Sequence, residues 1–390
     1  MEVMHQAERG LFELQRGRPI FVTTADSAVL IAAVEGLEPR VLSCLKRLGH
    51  SDPRLVVTGY RVAAMKWAPT NGDGAGGPDE RGSRIEDGGA HVRIGLNGSS
   101  SPEEILRLSS AAGNHAPHDV RLSPATEAEA AGVELARVGR LLPAVVSVSV
   151  ERDSCPPRSG WSAGDSRLAV SADEIRSITS PTSTRVRYVS GARVPLEQAE
   201  DARVMLFREG NGLFEHVAVV LGDLDSWSDA VPVRLHSACI TGDLLGSLRC
   251  DCGEQLRRSL ETFARVGCGV LLYLAHEGRS IGLANKLRAY AIQEEGLDTV
   301  DADCALGFGP DERGYEAAAG ILRHLGIDRI RLLTNNPDKV RAMEVNGIRV
   351  DARTPLHGSL NAHNLPYVSA KARRAGHWLE EMLSGSRKDR

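Results

Sequence analysis

Apolar and polar positions along this chain follow two periods, one suited to strands and one to helices. Between Met1 and Leu48, Ala7, Leu11 and Leu14 recur at helical spacing, and a short apolar run, Pro19 to Val22, follows. Further runs lie at Val92 to Leu96 and Leu141 to Val150. Past residue 185 the pattern sharpens. Val231–Leu235 precedes a helical stretch at Gln255–Val266, Val270–Leu274 precedes Ile281–Glu295, and Ile330–Leu333 precedes Pro337–Asn346. Strand-then-helix alternation predicts an α/β (or α+β) fold with its site on the strand-to-helix loops. Gly267, Gly326 and Gly347 each fall where a helix needs a left-handed residue to stop.

Two stretches interrupt the pattern. Residues 69–90 are too rich in Gly, Asp and Pro to bury a core, and residues 151–184, with ERDSCPPRSGWSAGDS and ITSPTSTR, read as a linker. A chain of 390 residues also exceeds the roughly 250–300 at which one core stops growing. Two domains are therefore expected, 1–180 and 185–390, each a mixed sheet with flanking helices.

Composition narrows the function classes. A net charge of -4 argues against a nucleic-acid or anionic-membrane binder, so an anionic ligand would need a local basic site. No run approaches the roughly 18 apolar residues of a membrane span, and MEVMHQAERG lacks the layout of a secretory signal. The expectation is a cytoplasmic protein. Of seven cysteines, Cys44, Cys155, Cys268 and Cys304 are scattered, whereas three crowd into residues 239–252. In a reducing compartment that crowding points to metal ligation.

The crowded stretch is HSACITGDLLGSLRCDCGEQL, with Cys239, Cys250 and Cys252 as candidate ligands. Three thiolates on zinc leave one position for water, as in a catalytic site; His236 or Asp251 could instead complete a structural one, or the thiols could be unrelated. Gly242, Gly246 and Gly253 would let backbone approach closely. Three further loops follow. HEGRSIGLANKLRAY carries Glu277 and Arg279, either a surface ion pair or a base-edge acceptor and a phosphate fork. LGFGPDERGYEAA sets Asp311 and Arg313 at the start of an expected helix, where an acid can serve the helix dipole alone. In LLTNNPDKV, Asn335 or Asn336 can cap a helix opened by Pro337, with Thr334 and Lys339 facing a strand-end crevice.

Together these four ordered motifs, with the late PYVSAKARRAGHWL, resemble GTP cyclohydrolase II of riboflavin biosynthesis over roughly residues 185–380. The resemblance implies hydrolysis of GTP to 2,5-diamino-6-(5-phosphoribosylamino)pyrimidin-4-one, formate and pyrophosphate. It places one zinc ion per subunit on Cys239, Cys250 and Cys252, and magnesium on the triphosphate. Tyr290 takes the position of the deformylation tyrosine, Asp311 that of the proton acceptor, and Arg313 that of a nucleophile on the α-phosphate. A guanidinium is essentially always protonated, so a phosphate clamp is the alternative role for Arg313. GTP contacts fall on Arg234, His236, Gln255, Glu277, Gly278, Arg279, Thr299, Thr334 and Lys339. The family's habit implies a homodimer. One departure stands inside the motif, since Ala238 replaces the usual glutamate of HSEC.

Residues 11–67 resemble the opening of 3,4-dihydroxy-2-butanone 4-phosphate synthase, a frequent fusion partner of that enzyme. The acid-rich loop which that synthase needs is here TTADSAVLIAAVEG, with only Asp26 and Glu35. A degenerate, catalytically silent domain is expected. The competing readings are a bifunctional enzyme and a nucleotide-sensing protein without turnover.

Overall fold

The computed structural model describes residues 4–65, 90–112, 122–152, 168–180, 185–223 and 230–379. Residues 69–89, most of the expected linker, Cys155 and the tail SGSRKDR lie outside the described residues. The chain divides into two compact units, Met1–Ser180 with Ile281–Glu312, and Pro181–Ser280 with Arg313–Arg390.

In the first unit the helix Met4–Gln15 buries Ala7, Leu11 and Leu14, as their spacing requires. Seven strands follow in chain order: β1 (Ile20–Thr23), β2 (Ala28–Ala33), β3 (Arg54–Thr58), β4 (His91–Gly95), β5 (Leu122–Pro124), β6 (Ala144–Val150) and β7 (Ala169–Ser171). They form one sheet in the order β5-β4-β3-β6-β2-β1-β7. β1 and β7 run parallel and the other neighbours antiparallel. Every residue of β2 is buried, which suits a strand covered on both faces.

The stretch Ile281–Glu312 groups with these N-terminal residues for an apolar reason. Its helices Gly282–Glu294 and Thr299–Ala305 contribute Ala289, Ile292, Ala302 and Ala305 to a buried cluster with Leu142 and Ala112. Polar ties reinforce it: Arg137 forks onto Glu312 at 2.7 and 2.8 Å, and Arg288 pairs with Glu35 at 3.0 Å.

The second unit carries β8 (Val186–Arg193), β9 (Arg203–Glu209), β10 (Glu215–Leu221), β11 (Val231–Ser237), β12 (Gly269–Leu274), β13 (Arg329–Leu333) and β14 (Arg349–Thr354). Their order is β14-β13-β11-β12-β10-β9-β8. The first four of that order are parallel and the last three pair antiparallel, so both units are mixed α/β sheets. From β11 the chain crosses to β12 on one side, and from β13 it crosses to β14 on the other. The carboxyl ends of β11 and β13 therefore flank a point where the winding reverses, the usual ligand crevice of an open parallel sheet. Among the described residues no helix is long and apolar enough to cross a membrane.

Candidate active site

The metal-ligand candidates sit just past β11. A short helical turn, Ile240–Asp243, follows Cys239, and the helix Cys252–Val266 begins at the third cysteine. The three Sγ atoms lie within 4.8 Å of one another, with Cys239 and Cys250 at 3.6 Å. Tetrahedral zinc with Zn–S bonds of about 2.3 Å would hold thiolates about 3.8 Å apart, so the cluster fits that ion. Hydrogen bonding with Cys239 first, then burial and the charge of the neighbouring thiol, pushes the Cys250 and Cys252 sulfhydryls up. Gly242 makes the geometry possible: a Cβ there would stand 2.6 Å from the Cys250 sulfur. Gly253 is as constrained, by the Gly242 carbonyl at 2.3 Å, whereas Gly246 has open space and instead uses a left-handed φ of 65°.

Neither residue considered as a fourth ligand joins the cluster. His236 turns Nε2 to the Asp243 carboxylate at 3.0 Å, and Asp251 is engaged by Lys371 and Gln255. Asp243, which the sequence reading did not single out, is a hub. It also accepts from the Cys239 amide at 2.9 Å and from the Tyr273 hydroxyl at 2.9 Å. Burial pushes the His236 imidazole down, so the ring is neutral with its proton on Nε2 facing the carboxylate. Its Nδ1 is buried and has no hydrogen-bond partner among the described residues, which leaves it an acceptor for a ligand donor.

Two cations brace the crevice. Arg234 donates from Nη1 to the Leu333 carbonyl at 3.0 Å and from Nη2 to Gln255 Oε1 at 2.5 Å, while its buried Nε has no partner among the described residues. Lys339 donates to the Leu235 carbonyl at 2.7 Å. Arg234 thus ties β11 to β13 where the winding reverses, and Lys339 ties the helix Pro337–Val345, which follows β13, to β11. Gln255 passes its own amide to Asp251 Oδ2 at 2.5 Å.

The remaining loops match the expected layout in part. Gly278, Arg279 and Ser280 all have positive φ (61°, 59° and 77°), a tight turn between β12 and the helix Gly282–Glu294. Glu277 accepts from two backbone amides, Ile240 at 2.6 Å on one oxygen and Gly278 at 3.2 Å on the other. After β13, Asn336 caps the helix Pro337–Val345 and Thr334 is buried, accepting from the Asn336 amide. Asn335 instead exchanges two hydrogen bonds with Leu356.

Asp311 and Arg313 stand before a helix rather than in its first turn, since that helix runs Glu316–His324. Asp311, Tyr290 and Thr299 belong to the first unit, and Arg313 to the second. In the second unit, His377 registers a strongly positive surrounding. Burial first, then Lys371, Arg313, Lys339 and Arg279, push its imidazole down to about 2. That set of cations suits an oligophosphate.

The model of the GTP cyclohydrolase II family matches residues 187–355. GTP cyclohydrolase-2 of Azospirillum brasilense is 39% identical over 383 residues, spanning 96% of this chain and 94% of its own. GTP cyclohydrolase-2 of Pseudomonas aeruginosa (strain LESB58) is 48% identical over 202 residues, 51% of this chain and 97% of its own length. Among solved structures, a two-domain 3,4-dihydroxy-2-butanone 4-phosphate synthase from A. baumannii covers 91% of this chain and all of its own, at 15% identity and a TM-score of 0.33. A match at 39% identity along nearly the whole length, together with the family model over the catalytic stretch, means that this chain belongs to the GTP cyclohydrolase II family.

Proposed function

We propose that the protein hydrolyses GTP to 2,5-diamino-6-(5-phosphoribosylamino)pyrimidin-4-one, formate and pyrophosphate, in riboflavin biosynthesis. The observation that carries this reading is the group of Cys239, Cys250 and Cys252, three thiols within 4.8 Å in a chain of this family. Those cysteines would hold one zinc ion per subunit, which supplies Lewis acidity and activates water for attack on a carbon–nitrogen bond at neutral pH.

The chain's own groups do the rest. His236, locked in one tautomer by Asp243, presents Nδ1 to a donor of the bound nucleotide, and Arg234 presents Nε as a donor. Arg279, Arg313 and Lys339, whose charge acts together on His377, neutralise the triphosphate with magnesium. Because a guanidinium keeps its proton, Arg313 acts as a phosphate clamp. Glu277, Gly278, Gln255, Thr299 and Thr334 complete the nucleotide contacts, Asp311 accepts the proton and Tyr290 serves deformylation. Ala238 removes a carboxylate from the motif, so base recognition rests on the remaining acceptors. The protein works as a cytoplasmic homodimer.

The first unit is a silent synthase relative. Glu35, one of the two acids expected to serve magnesium, follows β2 while Asp26 precedes it, and it already accepts from the Leu142 amide at 2.6 Å and pairs with Arg288. Incubation of the purified chain with ribulose 5-phosphate and magnesium should yield no butanone phosphate. The main test is product analysis by mass spectrometry after adding GTP, zinc and magnesium. Formate, pyrophosphate and the diaminopyrimidinone are expected together. Bound but unconverted GTP would leave the nucleotide-sensing reading standing instead.

A further inference from the structure

Asp251 sits between two of the metal-ligand candidates and at the N-cap of the helix Cys252–Val266, yet its side chain caps no helix amide. An N-cap aspartate ordinarily accepts from the second or third amide of its helix. Here the carboxylate is turned elsewhere. Oδ1 lies 3.5 Å from the Lys371 ammonium, and Oδ2 accepts from Gln255, which in turn holds Arg234. Lys371 comes from the helix Leu365–Ala375, beyond the stretch that the family model matches, and its ammonium lies 4.1 Å from the centre of the Tyr367 ring.

The segment leading into that helix is fastened to the same turn. Ser359 donates its amide and hydroxyl to Glu254 at 2.5 and 2.8 Å, and Arg258 donates to the His357 carbonyl at 2.7 Å. Gly358 presses on Asp251 itself, for a Cβ there would come 2.5 Å from the Asp251 Cβ. Residues 357–371 thus strap the Cys250–Asp251–Cys252 turn from outside.

Charge gives the strap a reason. A divalent ion on three thiolates carries one net negative charge, and Asp251 adds another in a buried setting. Lys371 and Arg234 supply the two balancing positive charges, without which burying the acid beside the thiolates would be costly. We infer that Lys371 is a positioning residue of the metal centre: it draws Asp251 off the helix amides and so fixes the turn that presents Cys250 and Cys252. The inference rests on the zinc reading above.

The test is zinc affinity of the full chain, read by competition with a chromophoric chelator. Lys371→Met should weaken zinc by 10- to 100-fold, the range typical of groups that orient metal ligands, while Lys371→Arg should recover most of the loss. Asp251→Asn should weaken zinc similarly, and the double variant should be no worse than Asp251→Asn alone, because both changes break one link. A folded Lys371→Met chain that binds zinc as tightly as the parent would overturn the inference. So would additive losses in the double variant. Should Lys371→Met fail to fold, the Lys371→Arg and Asp251→Asn chains decide, wild-type zinc affinity in Asp251→Asn counting against it. A parent chain that takes up no zinc would instead remove the metal reading beneath it.

Discussion

The Thr58 hydroxyl donates to the Gly307 carbonyl at 2.6 Å, across 249 positions of sequence. Three residues on, Arg61 lies in the same junction with only 1% of its surface exposed. Its guanidinium donates to the carbonyls of Leu108 (2.8 Å), Ala111 (2.9 Å) and Ala305. Leu108 and Ala305 lie at the carboxyl ends of the helices Pro102–Ser110 and Thr299–Ala305, where a cation meets the negative end of the helix dipole. Burial lowers the guanidinium to about 10, still charged at neutral pH.

Removing that cation should therefore loosen the attachment of Ile281–Glu312. Arg61→Met leaves several buried carbonyls without a donor, each costing about 1–3 kcal/mol. A loss above about 3 kcal/mol is expected in denaturant unfolding, with hydrogen-exchange protection falling across 281–312. Unchanged protection there would show that the apolar cluster alone holds the segment.

Much of this was legible in the sequence wherever burial leaves an unbroken apolar signature. Val231–Leu235 and Val270–Leu274 became β11 and β12, because parallel strands buried on both faces carry mostly apolar residues, and Ile330–Leu333 became β13 although its Arg331 is exposed. The cysteine spacing located the metal-ligand candidates for a similar reason, since that chemistry tolerates few other residues. The antiparallel edge was not singled out. β8 reads VRYVSGAR and is mostly exposed, and in β9 the short apolar run Val204–Phe207 is flanked by charged residues and buried only at every second position. Asp243 was missed because an acid in TGD looks like an ordinary helix-turn residue; its three donors converge only in the fold. The placement of Ile281–Glu312 also escaped, as it depends on partners such as Thr58 and Arg61 far upstream.

Gly242 offers a sharp test of the thiol cluster. In Gly242→Ala the new methyl group would lie 2.6 Å from the Cys250 sulfur and 3.1 Å from that of Cys239, so a ligand must move. Zinc affinity and formate release should both fall, by roughly 10- to 100-fold in affinity. Gly246→Ala is the contrast. Its Cβ meets nothing within 4 Å, and only the strain of a left-handed alanine, about 1 kcal/mol, is expected, with zinc retained. Equal zinc loss in both variants would mean that loop strain, not the sulfur contact, matters.

Asp243→Asn keeps the shape but replaces one accepting oxygen by an amide that can only donate. With His236, Tyr273 and the Cys239 amide all donating inward, at least one loses its acceptor. The cost of about 1–3 kcal/mol corresponds to a fall of about 5- to 150-fold in kcat/KM for formate release. Tyr273→Phe removes one donor and leaves the other two in place, so a smaller loss is expected. An Asp243→Asn chain as efficient as the parent would show that the carboxylate does not hold His236 for the reaction.

Acid should weaken the second unit through its histidines. Both His236 and His377 are pushed down by burial, His377 to about 2 with Lys371, Arg313, Lys339 and Arg279 adding to the effect. In the unfolded chain a histidine takes up its proton near pH 6.5, so below that pH the unfolded state binds more protons than the folded one. The stabilisation is complete above about pH 6.5 and is lost as pH falls toward the folded values, by up to about 1.4 kcal/mol per pH unit for each histidine. Urea midpoints taken at about pH 7.5 and about pH 5.5 should therefore fall in the parent chain and fall less in His377→Gln, whose side chain carries no charge at either pH. Parallel declines in the two proteins would mean that the cations around residue 377 do not keep that imidazole neutral.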